Sequence, residues 1–321
     1  MKTPWKLGAY ATAMVLVSAG AFGVGTVTGS PIEMNEEHNT HGRDDSSGGT
    51  HSATPAGPAG LRVSESGYTL APINAPGTTG KSGKLRLRVL GPDGTPVTEF
   101  TESHEKKLHL IVVRTDTTEF RHVHPTLGSD GTWSIDWQWQ EAGTYRVFAD
   151  FVPTALGDGL TLTRIVEVGG EYRPKPFPKS STVAKVDDYT LTLDGSLVAG
   201  KGAPVTVRVE RDGKPVTALQ PYLGAYGHLV SLRDGDLGYL HVHPDGEAGD
   251  ESGEGGPEVS FHVETPTAGS YRLFFDFQIN DRVRTAEFTV STDEAGDSPA
   301  DEPDDEQGDD DDGHGGDGHG H

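Results

Sequence analysis

Apolar and polar residues alternate with a period of two over much of this chain. Leu85, Leu87 and Val89 are separated by basic residues, while Trp133, Ile135, Trp137 and Trp139, like Val205, Val207 and Val209, alternate with polar ones. Successive side chains of a strand point to opposite faces, so the alternation predicts half-buried strands. The i, i+3, i+4 spacing of an amphipathic helix is missing. Asp-Gly and Gly-Pro turns break these runs into roughly seven short strands per hundred residues, the density of a β-sandwich.

The pattern occurs twice. Asp93-Gly94-Thr95-Pro96-Val97-Thr98 returns as Asp212-Gly213-Lys214-Pro215-Val216-Thr217, an offset of 119. The same offset carries His109 to His228, His122 to His241, His124 to His243 and Pro125 to Pro244, without a gap. Gly143-Thr144-Tyr145-Arg146-Val147-Phe148-Ala149-Asp150-Phe151 has a second version in Gly269-Ser270-Tyr271-Arg272-Leu273-Phe274-Phe275-Asp276-Phe277. The expected fold is therefore all-β: two tandem immunoglobulin-like β-sandwich domains, residues 61–170 and 183–291, joined by the Pro-rich connector 171–182.

Composition adds the surroundings. The chain has 321 residues, a formal charge of −23, 44 glycines and no cysteine. The charge argues against nucleic acid as a partner. Without cysteine there are no disulfides, thiolate zinc sites or blue-copper centres, which leaves imidazole and carboxylate as metal ligands. Lys2 and Lys6 precede the uncharged run Leu7–Val27, long enough to cross a bilayer. Residues 1–29 are thus expected to be a signal peptide, or a helical anchor in the cell membrane if uncleaved, with the remainder outside the cytoplasm. Residues 30–60 read as a disordered linker. Residues 292–321 read as a disordered tail with histidines, thirteen acidic residues and no Lys or Arg.

The candidate chemistry lies in the repeated histidines. In His122-Val123-His124 and His241-Val242-His243 the two imidazoles share a strand face. A two-residue turn at Asp234-Gly235 would set the index sum of paired residues at 469, placing His228 directly opposite His241 with His243 on the diagonal. The first copy gives 231 for His109 and His122, with a longer loop. Three imidazoles converging from two strands form a set that Cu²⁺ or Zn²⁺ accepts, at no ionisation cost near neutral pH. Packing histidines at the rim of an apolar core would share the pattern, because Ile111, Val113, Val230 and Leu232 lie on the same faces. Asp150 and Asp276 are open to three readings: a fourth ligand, a carboxylate orienting an imidazole, or an ordinary strand-end pair. His104 and His262 have no counterpart in the repeat and are expected in solvent. No motif of an enzyme class is present.

The stretches 108–114 with His122-Val123-His124-Pro125, the second-copy Tyr239-Leu240-His241-Val242-His243-Pro244, and the two Tyr-Arg-x-Phe-x-Asp-Phe segments resemble exported proteins of high-GC Gram-positive bacteria, often labelled secreted, membrane or heavy-metal-binding. The resemblance covers residues 61–290 and implies an extracytoplasmic, membrane-anchored or secreted location. At the level of fold, each copy also looks like small extracytoplasmic modules linked to copper handling.

Together these readings point to a metal-binding, non-enzymatic protein, copper before zinc, that buffers, carries or senses its ion. The alternative is a structural or adhesive pair of modules without a metal; the protein partner is open in both. Protease added to intact cells should remove the acidic tail, read by a C-terminal epitope, and full protection of that tail would refute export.

Overall fold

In a computed structural model, residues 60–240, 242–244 and 255–292 are described, with only the backbone of His243 and Pro244. The run Leu7–Val27, residues 30–59, His241 and the acidic tail beyond 292 lie outside the described residues. Among the described residues there are strands and no helix.

The first copy comprises β1 (Ser64–Glu65), β2 (Tyr68–Leu70), β3 (Gly83–Leu87), β4 (Val89–Leu90), β5 (Phe100–Thr101), β6 (His109–Arg114), β7 (Arg121–Val123), β8 (Thr126–Leu127), β9 (Trp133–Trp137), β10 (Gly143–Pro153) and β11 (Leu160–Val168). The second comprises β12 (Val183–Val186), β13 (Tyr189–Gly195), β14 (Lys201–Arg211), β15 (Lys214–Pro215), β16 (His228–Arg233), β17 (Tyr239–Leu240), β18 (Val242–Pro244), β19 (Glu258–Thr265), β20 (Ser270–Ile279) and β21 (Arg282–Ser291). Each copy has one sheet in the same order: β11-β10-β6-β7 in the first, β21-β20-β16-β17 in the second. The opposing layers are β3-β9-β8 with β1-β2-β4, and β12-β13-β14-β19-β18. At the start of the long central strand, Tyr145 and Tyr271 donate their hydroxyls to the carbonyls of Glu141 and Thr267, at 2.8 and 2.7 Å. This tyrosine corner is a hallmark of immunoglobulin-like sandwiches. The chain is two tandem sandwiches of that class.

The predicted alternation holds where one face is solvated. Leu87 pairs with Trp133 and Leu85 with Ile135, while Arg86 and Arg88 point away from the core. On β6 and β16 it gives way to burial on both faces. Leu110 and Val112 enter the first core, whereas Ile111 and Val113 join Phe148, Val230, Leu232, Leu237 and Phe274 in a third cluster drawn from both copies. The β6 sheet thus packs face to face against the β16 sheet. The aromatic contacts across this seam are reciprocal. Phe120 stacks on Phe274 at 3.9 Å, and Tyr239, its counterpart at the 119 offset, packs against Phe148 at 5.7 Å. The same patch on each copy meets itself, as in an isologous dimer.

The strand registers differ from the expected sums. Ile111 pairs with His122 and Leu110 with Val123, a sum of 233. Ser231 pairs with Leu240 and Leu232 with Tyr239, a sum of 471. Direct opposition of His109 to His122 is therefore replaced by a shift of two, and the second-copy ladder is displaced by the same amount over its described pairs. In the second copy the cause is a four-residue loop, 234–237, closed by Arg233 N–H on the Gly238 carbonyl, whereas in the first Arg114 N–H reaches the Thr118 carbonyl. Asp234-Gly235 does not form a two-residue turn. Leu237 instead donates to the Arg233 carbonyl (3.0 Å), and the Asp236 carboxylate accepts from the Gly238 amide (2.9 Å) while pairing with the Arg233 guanidinium. In the first copy Asp116 accepts from Arg114 at 2.9 and 2.8 Å and from the Thr118 hydroxyl at 2.8 Å. These side-chain bonds close the longer loop, which also seats Leu237 in the seam. A shift of two preserves which face each side chain takes, so His109 and His122 keep their predicted face.

Phe274 is fully buried in the seam, whereas Ile165 on β11 is 45% exposed. Phe274→Ala should lower unfolding stability by ~3–5 kcal/mol and Ile165→Ala by no more than ~0.5 kcal/mol, measured by urea denaturation.

Candidate metal centre

His109 opens β6 and sits on the seam face, in line with Ile111 and Val113. Just before it, the turn Ser103–Lys106 has its two central residues, His104 and Glu105, at φ 49° and 60°. The second copy repeats this turn at Tyr222–Ala225, with Leu223 and Gly224 at 56° and 75°. Both centres at positive φ make a type I′ turn, which matches the twist of a hairpin. Each turn aims a carbonyl at the following histidine: His109 Nε2–H donates to Ser103 O at 3.0 Å, and His228 Nε2–H to Tyr222 O at 2.8 Å.

A carbonyl only accepts, so the proton of neutral His109 is on Nε2 and its Nδ1 carries a lone pair. His122 is fixed the same way. Its Nδ1–H donates to Asp276 Oδ2 at 2.9 Å, leaving the lone pair on Nε2. That nitrogen lies 3.0 Å from His109 Nδ1, and His124 Nε2 lies 3.1 Å from the same atom. The ligand nitrogens of His109, His122 and His124 all fall within 4.8 Å of one another, a group that could hold a metal ion. Two lone pairs at 3.0 Å repel unless a proton or a cation lies between them. A single proton serves one pair of nitrogens, and a cation serves all three. Tetrahedral bonds of about 2.0–2.1 Å would set the nitrogens about 3.3 Å apart, an opening of a few tenths of an ångström for the two pairs that share His109 Nδ1.

Asp276 comes from the other copy. It is 3% exposed, stands opposite His228 in the β16–β20 ladder, and also accepts from the Thr285 hydroxyl at 2.5 Å. The carboxylate that orients the first-copy imidazole thus crosses the seam. Exchanging the copies in this bond would involve His241 and Asp150. His241 lies outside the described residues, and Asp150 stands opposite His109 and accepts from the Thr161 hydroxyl at 3.1 Å. His228 approaches the cluster without joining the trio, its ring 6.4 Å from that of His122. The backbone of His243 pairs with His262 on β19. His109, His122, His228, His104 and Asp150 line one cavity of about 120 Å³ between the copies.

His104, whose repeat counterpart is Leu223, stands outside the repeated set. His104 is exposed, as expected, yet its ring lies 5.4 Å from that of His228 across the seam. Ser103, Tyr222 and Thr285 act through a carbonyl or a strand-edge hydroxyl, and no residue pattern marks them.

Residues 63–169 and 184–294 match a family model described as "Domain of unknown function (DUF8832)". The chain belongs to this family. Both copies of the DUF8832 domain thus contribute to the cluster, His109, His122 and His124 from the first and Asp276 from the second. No curated protein matches the chain. Similar solved structures include Salmonella alpha-2-macroglobulin, at 14% identity and a TM-score of 0.23, covering 75% of this chain but only 15% of that one. The fibronectin(III)-like modules of CbhA from Clostridium thermocellum match at 11% identity and a TM-score of 0.19, covering 71% and 95%. A Corynebacterium diphtheriae protein described as a membrane-anchored candidate matches at 10% and 0.22, covering 72% and 59%. Sheet order and the tyrosine corners define the fold.

Burial shifts the imidazoles toward neutrality. Desolvation first, then neighbouring histidines, hold His109 at about 3 against the hydrogen bond it donates to the Ser103 carbonyl, which raises it. His124 falls to about 2 and His228 to about 4, again chiefly through desolvation. Below an unfolded value of about 6.5, these rings take protons only when the chain unfolds. Metal-free protein should therefore lose stability as pH falls from ~6.5 to ~4, by up to ~1.4 kcal/mol per pH unit for each ring, with partly exposed His124 giving less. Urea denaturation in chelator at pH 7, 5.5 and 4.5 measures the slope, and His109→Gln should flatten it.

Proposed function

We propose that the chain is an extracytoplasmic protein that binds a divalent transition metal, copper before zinc, and buffers, carries or senses it at the cell surface. The observation that carries this reading is that His109 Nδ1 lies 3.0 Å from His122 Nε2 and 3.1 Å from His124 Nε2, with all three nitrogens within 4.8 Å of one another. Neutral imidazoles lose nothing to deprotonation on binding, and Cu²⁺ leads Zn²⁺ in affinity for nitrogen ligands. The reading extends by duplication to a second ion held by His228, His241 and His243, with Asp150 and Asp276 as partners that orient imidazoles. It is a binding reading, since Asp276, hydrogen-bonded to the trio, already accepts two hydrogen bonds. The location rests on Lys2, Lys6 and the apolar run Leu7–Val27.

A structural reading is favoured by one observation, the buried His122–Asp276 bond that links the copies. Calorimetric titration of Cu²⁺ and Zn²⁺ into untagged full-length chain separates the two. Wild type should bind Cu²⁺ more tightly than Zn²⁺. His124→Ala, chosen because His124 is only partly buried, should weaken one site by more than the ~10–100-fold typical of losing an outer-sphere partner. Equal binding by both proteins, with reduced stability in the variant, would mean that the histidines are structural.

A further inference from the structure

We infer that the metal centre is a joint site: Asp276 of the second sandwich is its positioning residue, so metal occupancy and docking of the two copies are thermodynamically linked. The inference rests on the metal-binding reading of His109, His122 and His124 and adds what assembles them.

A free His122 ring would exchange its proton between two nitrogens and turn about its side-chain bonds. Within the first copy, the contacts of His122 are with rings of the same trio. The carboxylate that fixes both tautomer and ring plane belongs to β20, 154 residues further along the chain. A carboxylate accepting the far N–H of a ligating imidazole raises its basicity and places a negative charge one ring away from the cation. Asp276 is suited to this because it is itself held by the Thr285 hydroxyl on β21 and buried at 3% exposure. It reaches His122 only while the β6 and β16 sheets lie face to face, and what holds them there is the apolar cluster and its two aromatic pairs. A ligand that binds the docked arrangement more tightly than the undocked one must favour docking by the same factor.

Two variants test this in the full chain. Asp276→Leu keeps roughly the bulk but removes both the charge and the oxygen that accepts from His122. It should weaken metal binding ~10–100-fold, and imidazole ¹⁵N shifts should show His122 losing its single Nδ1–H tautomer. Leu237→Asp acts from the loop beyond the end of β16 opposite His228, off the cavity wall. Leu237 is buried in the seam at φ 56°, a conformation that Asp adopts more readily than Leu. The substitution thus puts a charge in the seam while suiting the local backbone, and it should also lower metal affinity. In wild type, added Zn²⁺ should slow amide exchange at Phe274 and Tyr239. Unchanged affinity in either variant, or an unchanged His122 tautomer in Asp276→Leu, overturns the joint site while leaving the metal-binding reading intact. Absence of any Cu²⁺ or Zn²⁺ binding by wild type overturns both.

Discussion

Burial of β6 and β16 on both faces is the constraint from which the site follows. A sandwich strand normally turns one face to its core and the other to water. Here the outer faces of two such sheets close on each other, so Ile111, Val113, Val230, Leu232 and Phe274 form an interior that neither copy has alone. Any polar group on those faces then needs a partner, because an unpaired buried one costs ~1–3 kcal/mol. His109, His228 and Asp276 stand on these faces at the strand ends that border the cavity, and each has its hydrogen bond. The polar cluster is the edge of the seam, confined to the few groups that can be satisfied there.

The pseudo-symmetry of the seam explains why the repeat retains side chains on the outer faces as well as in the cores. On β10 and β20, Tyr145, Val147 and Ala149 and their counterparts Tyr271, Leu273 and Phe275 fill the separate cores. The alternate positions, Phe148 and Asp150 against Phe274 and Asp276, face the other copy or the cavity between them. A self-complementary patch must keep both halves of each contact in both copies. Phe120 against Phe274 and Tyr239 against Phe148 are such halves.

Much of the site was nevertheless legible. Period-two spacing put His122 and His124 on one face, and repetition singled out the histidines among fourteen in the chain. In the second copy the ladder lies two residues away from the register that a strong local turn signal, Asp234-Gly235, predicts. That signal is overridden by the Arg233–Asp236 pair and by the burial of Leu237, neither of which a dipeptide rule contains. The same displacement in the first copy leaves the trio intact, since a shift of two changes the partner across the ladder and not the face. His122 stands opposite Ile111 and still reaches His109 on the diagonal.

The sequence by itself determined the all-β class, the duplication, the faces of the strands and the set of residue types available as ligands. These follow from local periodicity and from identity at a fixed offset, which need no knowledge of what lies beyond one strand or one hairpin. Only the tertiary structure decided that the two sandwiches meet through their β6 and β16 sheets, that Asp276 serves His122 across 154 residues, and that two backbone carbonyls fix the tautomers of His109 and His228. An outward-facing Ile, Phe or Asp has the same spacing whether water or another sheet covers it, and what covers it is settled by apolar area distributed over both copies at once.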